Sequence, residues 1–213
     1  MSNRELTVIL ADGTFPSGRE ALTYLDNAAR VICCDGAARS LVAYGREPDK
    51  IIGDLDSLSA EFKKRFADRI EQVDEQESND LSKAFRYCCS MNYQHIVILG
   101  ATGKREDHTL GNLSLLSEYS KIVPDIKIVT DYGYFSLAAE SGNFSSFPGM
   151  QISIISLDGE VEVSCRNLKY PMNKLKLRRW YQATLNEALS DSFFLDFPAG
   201  CELLIYRTFQ GKQ

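Results

Sequence analysis

The stretch Asp49-Lys-Ile-Ile-Gly-Asp-Leu-Asp-Ser57 is a short apolar run, Lys50 to Gly53, that ends in two carboxylates, Asp54 and Asp56, behind a glycine. On extended backbone, residues two apart point to the same side. Like charges held that close call for a cation. Hard carboxylate oxygens suit Mg²⁺, which binds through one or two carboxylates together with the phosphates of a substrate. Taken alone, Asp-Leu-Asp-Ser reads better as a solvated turn that caps a helix beginning near Ser59, so the surrounding sequence has to decide.

Outward from this stretch, strand-like and helix-like segments alternate. Leu6 to Ala11, Val31 to Cys34, Lys50 to Gly53, Arg69 to Val73, His95 to Leu99 and Ile126 to Val129 read as strands. Between them, Arg19 to Ala29, Ala37 to Tyr44, Ala60 to Phe66, Leu81 to Met91 and Thr109 to Tyr119 read as helices, the fourth from apolar residues Leu81, Ala84, Phe85 and Cys88 at helical spacing. Strands separated by helices imply a parallel sheet with right-handed crossovers, and ligands then sit beyond the carboxyl ends of the strands. Asp35, Asp54 and the loop Gly100 to Asp107 each follow a strand, so the topology gathers them on one edge.

The second half changes character after Glu140-Ser-Gly-Asn-Phe-Ser-Ser-Phe-Pro-Gly149. Gln151 to Leu157 and Val161 to Cys165 flank Asp158-Gly159, a hairpin signal. Phe193 to Phe197 and Glu202 to Thr208 are further strands around Pro198-Ala-Gly200. The expected architecture is therefore an N-terminal parallel-sheet α/β domain over residues 1–135 and a C-terminal all-β domain over 136–213, with the change lying between Asp131 and Gly149.

The 213 residues, 23.9 kDa, are enough for one large or two modest domains with real cores. A hydrophobic fraction of 44% and a charged fraction of 25% fit a soluble globular chain. The net charge of −5, with both signs interspersed, gives no basic stripe for nucleic acid. No apolar run reaches membrane-spanning length, and Met-Ser-Asn-Arg-Glu running straight into Leu-Thr-Val-Ile-Leu is not a signal-peptide pattern. Six cysteines without CxxC spacing, two pairs of them adjacent, read as reduced and mostly buried in a cytoplasmic protein. With only His95 and His108, zinc is not expected.

Three further clusters accompany the paired aspartates. Asp35-Gly36-Ala37-Ala38 joins a strand end to a helix start, where glycine permits close approach and the helix N-terminus favours anions. Gln76-Glu-Ser-Asn-Asp80 opens a helix that Ser78 or Asn79 can cap. Gly100-Ala-Thr-Gly-Lys-Arg-Glu-Asp-His108 is a glycine-bearing loop that offers Lys104 and Arg105 to phosphate oxygens without the spacing of a Walker A motif.

In this order and spacing the clusters resemble thiamin pyrophosphokinase. The matching pieces are Cys34-Asp35-Gly36-Ala37, Gly53-Asp54-Leu55-Asp56-Ser57, Gln76-Glu77-Ser78-Asn79-Asp80, and Gly100-Ala101-Thr102-Gly103 with Arg105, Asp107-His108 and Leu110-Gly111-Asn112. Asn167-Leu-Lys-Tyr-Pro171 and Asn186-Glu187 extend the likeness into the second half. The resemblance implies an α/β catalytic domain, a C-terminal β-sandwich that binds thiamin, and a homodimer with sites between domains and subunits. The implied reaction moves the terminal pyrophosphate of ATP onto the hydroxyethyl oxygen of thiamin and releases AMP.

The resemblance also implies residue roles. Asp54, Asp56 and Asp80 would hold Mg²⁺ directly or through water, with Asp35 nearby. Gln76, Ser78, Lys104 and Arg105 would contact the nucleotide. Asp107 would either touch metal or substrate or cap the helix from Thr109, and His108 would be a proton shuttle or a structural residue. Tyr170, Thr184 and Asn186 would bind thiamin, and Trp180 would line that pocket or be buried. Three departures stand out: Lys104 occupies a position where the family often has glycine, Asn79 stands where threonine is usual, and Ala183-Thr-Leu-Asn186 replaces the usual Ser-x-Ser-Asn. The altered segment keeps open a pyrophosphokinase acting on another alcohol, such as a pterin. A nucleotide- or thiamin-binding module without catalysis is the remaining alternative, against which the full carboxylate set argues.

Overall fold

A computed structural model describes residues 5–75 and 77–211; the chain divides between Asp131 and Tyr132 into two compact units. Gln76 lies outside the described residues.

The first unit runs β1 (Thr7–Leu10), α1 (Arg19–Asp26), β2 (Arg30–Cys34), α2 (Ala37–Tyr44), β3 (Lys50–Gly53), α3 (Ala60–Arg65), β4 (Ile70–Gln72), α4 (Asp80–Ser90), β5 (Ile96–Leu99), α5 (Glu106–Ser114), α6 (Leu116–Tyr119) and β6 (Lys127–Val129). The strands pair in the order β6-β5-β1-β2-β3-β4, all parallel. Val8, Ile9 and Leu10, Ile51 and Ile52, and Ile96 to Leu99 are buried without alternation, as strands covered on both faces must be. The chain steps outward from β1 to β4 and returns to β5 on the other side of β1. That reversal opens the crevice in which α/β sheets bind ligands.

The single helix expected over 109–119 begins earlier, at Glu106, and breaks at Leu115 into α5 and α6. The loops after β1 and β5 are stitched together at the crevice. Gly13 and Thr14 donate backbone N–H to Gly100 O (2.7 Å) and Thr102 O (2.8 Å), and the Thr14 hydroxyl donates to Gly103 O at 2.6 Å. A Cβ on Gly13 would lie 2.2 Å from Gly100 O, so only glycine permits this approach.

The second unit contains β7 (Gly133–Ala138), β8 (Gly142–Ser145), β9 (Met150–Ser156), β10 (Val161–Arg166), β11 (Leu175–Leu177), β12 (Ala183–Glu187), β13 (Ser192–Asp196) and β14 (Leu203–Gly211). They form antiparallel layers ordered β12-β9-β14-β7 and β11-β10-β13-β8. Ile152, Ile154, Val163, Phe193, Leu195 and Ile205 fill the core. The alternating burial of β9 is the period-two pattern of a strand with one face inward.

Two expectations need correction here. Asp158-Gly159 does not close a hairpin: β9 pairs with β12 and β14, and β10 with β11 and β13, so the turn carries the chain from one layer to the other. The Asp158 carboxylate holds that corner by accepting the Glu202 N–H at 2.5 Å. The loop read over 140–149 contains β8, and β7 begins just past the division between the two units. Their glycines and serines hide the strand signal.

Candidate functional site

The carboxyl ends of β2 and β3 and the start of α4 place three aspartates together: Asp35, Asp54 and Asp80. Asp35 follows β2 and is buried, with a backbone N–H to Ile52 O and a left-handed φ of 29°. Its Oδ2 accepts the Ser57 N–H at 3.3 Å, while its Oδ1 is buried without a partner. Asp54 follows β3. Asp80 opens α4, whose N-cap Asn79 accepts the Ser82 N–H at 2.9 Å. The Asn79 amide also donates to Asn112, and Asn112 to Ala101 O, which ties the helix start to the loop after β5.

Oxygen atoms of Asp35, Asp54 and Asp80 lie within 4.8 Å of one another. A buried carboxylate oxygen without a donor, on a member of such a set, suits a hard divalent cation. Burial, resisted by Lys83, holds the Asp80 carboxyl above its usual range, and Asp54 and Asp35 push the same way.

Asp56 does not join this group. Leu55 has φ of 67°, which breaks the extended backbone behind the same-side reading; Asp54 turns inward and Asp56 stays exposed, its N–H on Asp54 Oδ1 at 3.2 Å. The segment is also not the cap of the next helix, because Ser59 fills that role by accepting the Phe62 N–H.

A cleft of about 480 Å³ opens above the cluster, lined among others by Asp12, Asp54, Asp80, Lys83, Lys104 and Arg105. Ser78, Asn79 and His108 also line it. Lys104 and Arg105 are exposed and engaged: Lys104 Nζ is 3.1 Å from Asp12 Oδ1, and Arg105 clasps Asp107 through Nε (3.1 Å) and Nη2 (2.5 Å). The Arg105 guanidinium holds the Asp107 carboxyl below its usual range. Asp107 sits in the first turn of α5, one residue past its first residue and not at the N-cap position, and its Oδ1 accepts the His108 N–H at 2.9 Å. Ser78 donates N–H and hydroxyl to Glu75 and accepts from Arg86 at 2.7 Å.

Two cleft residues escaped sequence reading. The sequence does not single out Asp12, although it lies two residues beyond β1. Nor does it single out Lys83, whose signal is the i,i+3 spacing from Asp80.

In the second unit, Tyr170, Thr184 and Asn186 share a cavity of about 580 Å³ with Met172, Gln182 and Leu185. Asn186 is buried and committed to backbone: Oδ1 accepts from Tyr170 N (3.0 Å) and Glu187 N (2.9 Å), and Nδ2 donates to Tyr170 O (2.8 Å). It therefore fixes Tyr170, whose ring is exposed. The Thr184 hydroxyl donates to Tyr181 O at 2.8 Å. Trp180 is 54% exposed, so it is not a core residue.

Both units match known domains. The family model described as the thiamin pyrophosphokinase catalytic domain matches residues 21–130, and that of its substrate-binding domain matches 133–206. The chain is 26% identical over 203 residues to the thiamine pyrophosphokinase of Bacillus subtilis, covering 87% of this chain and 90% of that one. It is 27% identical over 180 residues to thiamin pyrophosphokinase 1 of Caenorhabditis elegans, covering 77% and 73%. Among solved structures, the Candida albicans thiamin pyrophosphokinase is similar in fold, with TM-score 0.81 at 17% identity, covering 97% of this chain and 90% of that one.

Proposed function

Since the chain belongs to the thiamin pyrophosphokinase family, we propose that its first unit binds ATP with Mg²⁺ and that its second unit supplies the thiamin pocket for pyrophosphate transfer. The alcohol oxygen of thiamin loses its proton to solvent and forms a bond to the β-phosphorus of ATP as the bond from that phosphorus to the α,β-bridging oxygen breaks, giving thiamin diphosphate and AMP. The observation that carries the reading is the set Asp35, Asp54 and Asp80, of which Asp54 and Asp80 line a cleft that Lys104 and Arg105 also line, and Asp35 contributes a buried oxygen without a partner.

Asp54 and Asp80 would hold the cation with Asp35, and Asp56 would reach it through water. The cation supplies charge neutralisation on the phosphate chain when bound. The chain's own residues position and neutralise, which is most of what phosphoryl transfer requires. Lys104 and Arg105 exchange their carboxylate partners for phosphate oxygens, and Ser78 and Gln76 complete the nucleotide contacts. Asp107 releases Arg105 when nucleotide arrives. In the second unit Tyr170 and Thr184 line the acceptor pocket, and Asn186 keeps Tyr170 in place.

We further infer a homodimer, for which the exposed Tyr170, Trp180, Tyr181, Leu185 and Leu189 of the second unit would supply apolar contacts. A cytoplasmic setting is supported by six free cysteines. Among the described residues no helix is long and apolar enough to cross a membrane. A different alcohol acceptor and a non-catalytic binder are not favoured, because both the catalytic and the substrate-binding domain of one family match.

The test is turnover of ATP and thiamin with and without Mg²⁺. Thiamin diphosphate should form only with the metal, and equal turnover in a chelator would overturn the metal assignment.

A further inference from the structure

Lys83 lies one turn along α4 from Asp80, is 5% exposed, and lines the cleft with its Nζ 3.2 Å from Asp80 Oδ1. A buried ammonium is costly unless it is paired, so this position is demanding to maintain. The other basic side chains lining the cleft, Lys104 and Arg105, are exposed and already paired with Asp12 and Asp107. Lys83 is thus the resident positive charge of the carboxylate set. Asp35, Asp54 and Asp80 carry three negative charges when ionised; one ammonium leaves two, the complement of a single divalent cation.

We propose that Lys83 is a positioning residue whose ammonium acts as a fixed counter-charge, keeping the three carboxylates assembled and limiting them to one divalent cation while it holds the Asp80 carboxylate in place. The inference rests on the magnesium reading above and goes beyond it by naming what sets the strength of the cation site. Removing the charge raises the pull of the carboxylates on a cation and worsens their mutual repulsion when the cation is absent. Support of the fold alone would do neither.

The experiment compares the full-length wild type with Lys83→Met, which keeps the length of the stem, and Lys83→Arg, which keeps the charge. Binding of Mg²⁺ alone, without nucleotide, is followed by calorimetry and by the metal-induced rise in melting temperature. Lys83→Met should bind Mg²⁺ roughly three- to tenfold more tightly and show the larger metal-induced rise, while Lys83→Arg should match the wild type. Folding of Lys83→Met only in the presence of Mg²⁺ gives the same answer. If it folds in neither condition, Lys83→Gln carries the comparison with the same expectation. Unchanged or weaker Mg²⁺ binding in a folded charge-free variant overturns the proposal. A wild type that binds no Mg²⁺ overturns the metal reading instead.

Discussion

Leu55 and Asp35 both have left-handed backbone, and each moves a carboxylate: Leu55 separates Asp54 from Asp56, and Asp35 turns its own side chain inward beneath Gly53. Asn accepts such φ values nearly as well as Asp. Asp35→Asn should therefore fold, and removing one of three mutually repelling carboxylates should stabilise the metal-free protein by about 1 kcal/mol, or roughly 2–4 °C in melting temperature. A drop in the melting temperature would show that the carboxylate is structural. Asp54→Asn should keep the melting temperature of the metal-free protein within about 0.5 kcal/mol and remove the stabilisation by Mg²⁺. The Asp80 carboxyl is raised by burial. Its contribution to stability is complete below the ordinary carboxylate range and is lost as pH climbs through the raised value. In the metal-free protein this one group should accordingly contribute less to stability at neutral pH than at about pH 3, a difference that Asp80→Asn should remove and that Mg²⁺ should close. At this scale the sequence named three of the clustered carboxylates by their places after strands and before a helix. It could not show that one left-handed leucine would exclude Asp56, because alternation assumes extended backbone.

Among the elements, the loops after β1 and β5 act as one unit through the Gly13, Thr14 and Gly103 contacts. Gly13→Ala forces a Cβ onto Gly100 O. Overpacking of this kind costs about 1–3 kcal/mol, and the displaced loop should raise the KM for ATP more than it lowers kcat. Urea denaturation and initial rates check the two halves of that expectation. In the second unit, β12 bulges between Ala183 and Asn186, and Leu185, with φ of 57°, is 68% exposed at the cavity edge. Leu185→Ser adds one neutral hydrogen-bonding group, worth about 0.5–1.5 kcal/mol. Affinity for thiamin should change by no more than about tenfold, with ATP binding untouched; an altered ATP affinity would contradict the placement of this segment. The helices and parallel strands of the first unit were legible because buried runs and helical spacing are local signals. The layer assignment of β9 and β10 was not, since a turn such as Asp158-Gly159 reads the same whether the next strand returns beside the last or crosses to the facing layer.

For the whole molecule, two units that match the catalytic and substrate-binding domains of one family join nucleotide chemistry and acceptor recognition in one chain. The order of the motifs made that pairing readable; the buried Lys83 and the Asp12–Lys104 contact depend on distances that only the fold supplies. Sedimentation should show a dimer at assay concentrations, and a monomer with full activity would contradict the dimer. The central claim is attack at the β-phosphorus of ATP by the alcohol of thiamin. It is tested most directly by following nucleotide and thiamin products together in one reaction with ATP, Mg²⁺ and thiamin. AMP and thiamin diphosphate should form in equal amounts, whereas ADP with thiamin monophosphate would contradict it.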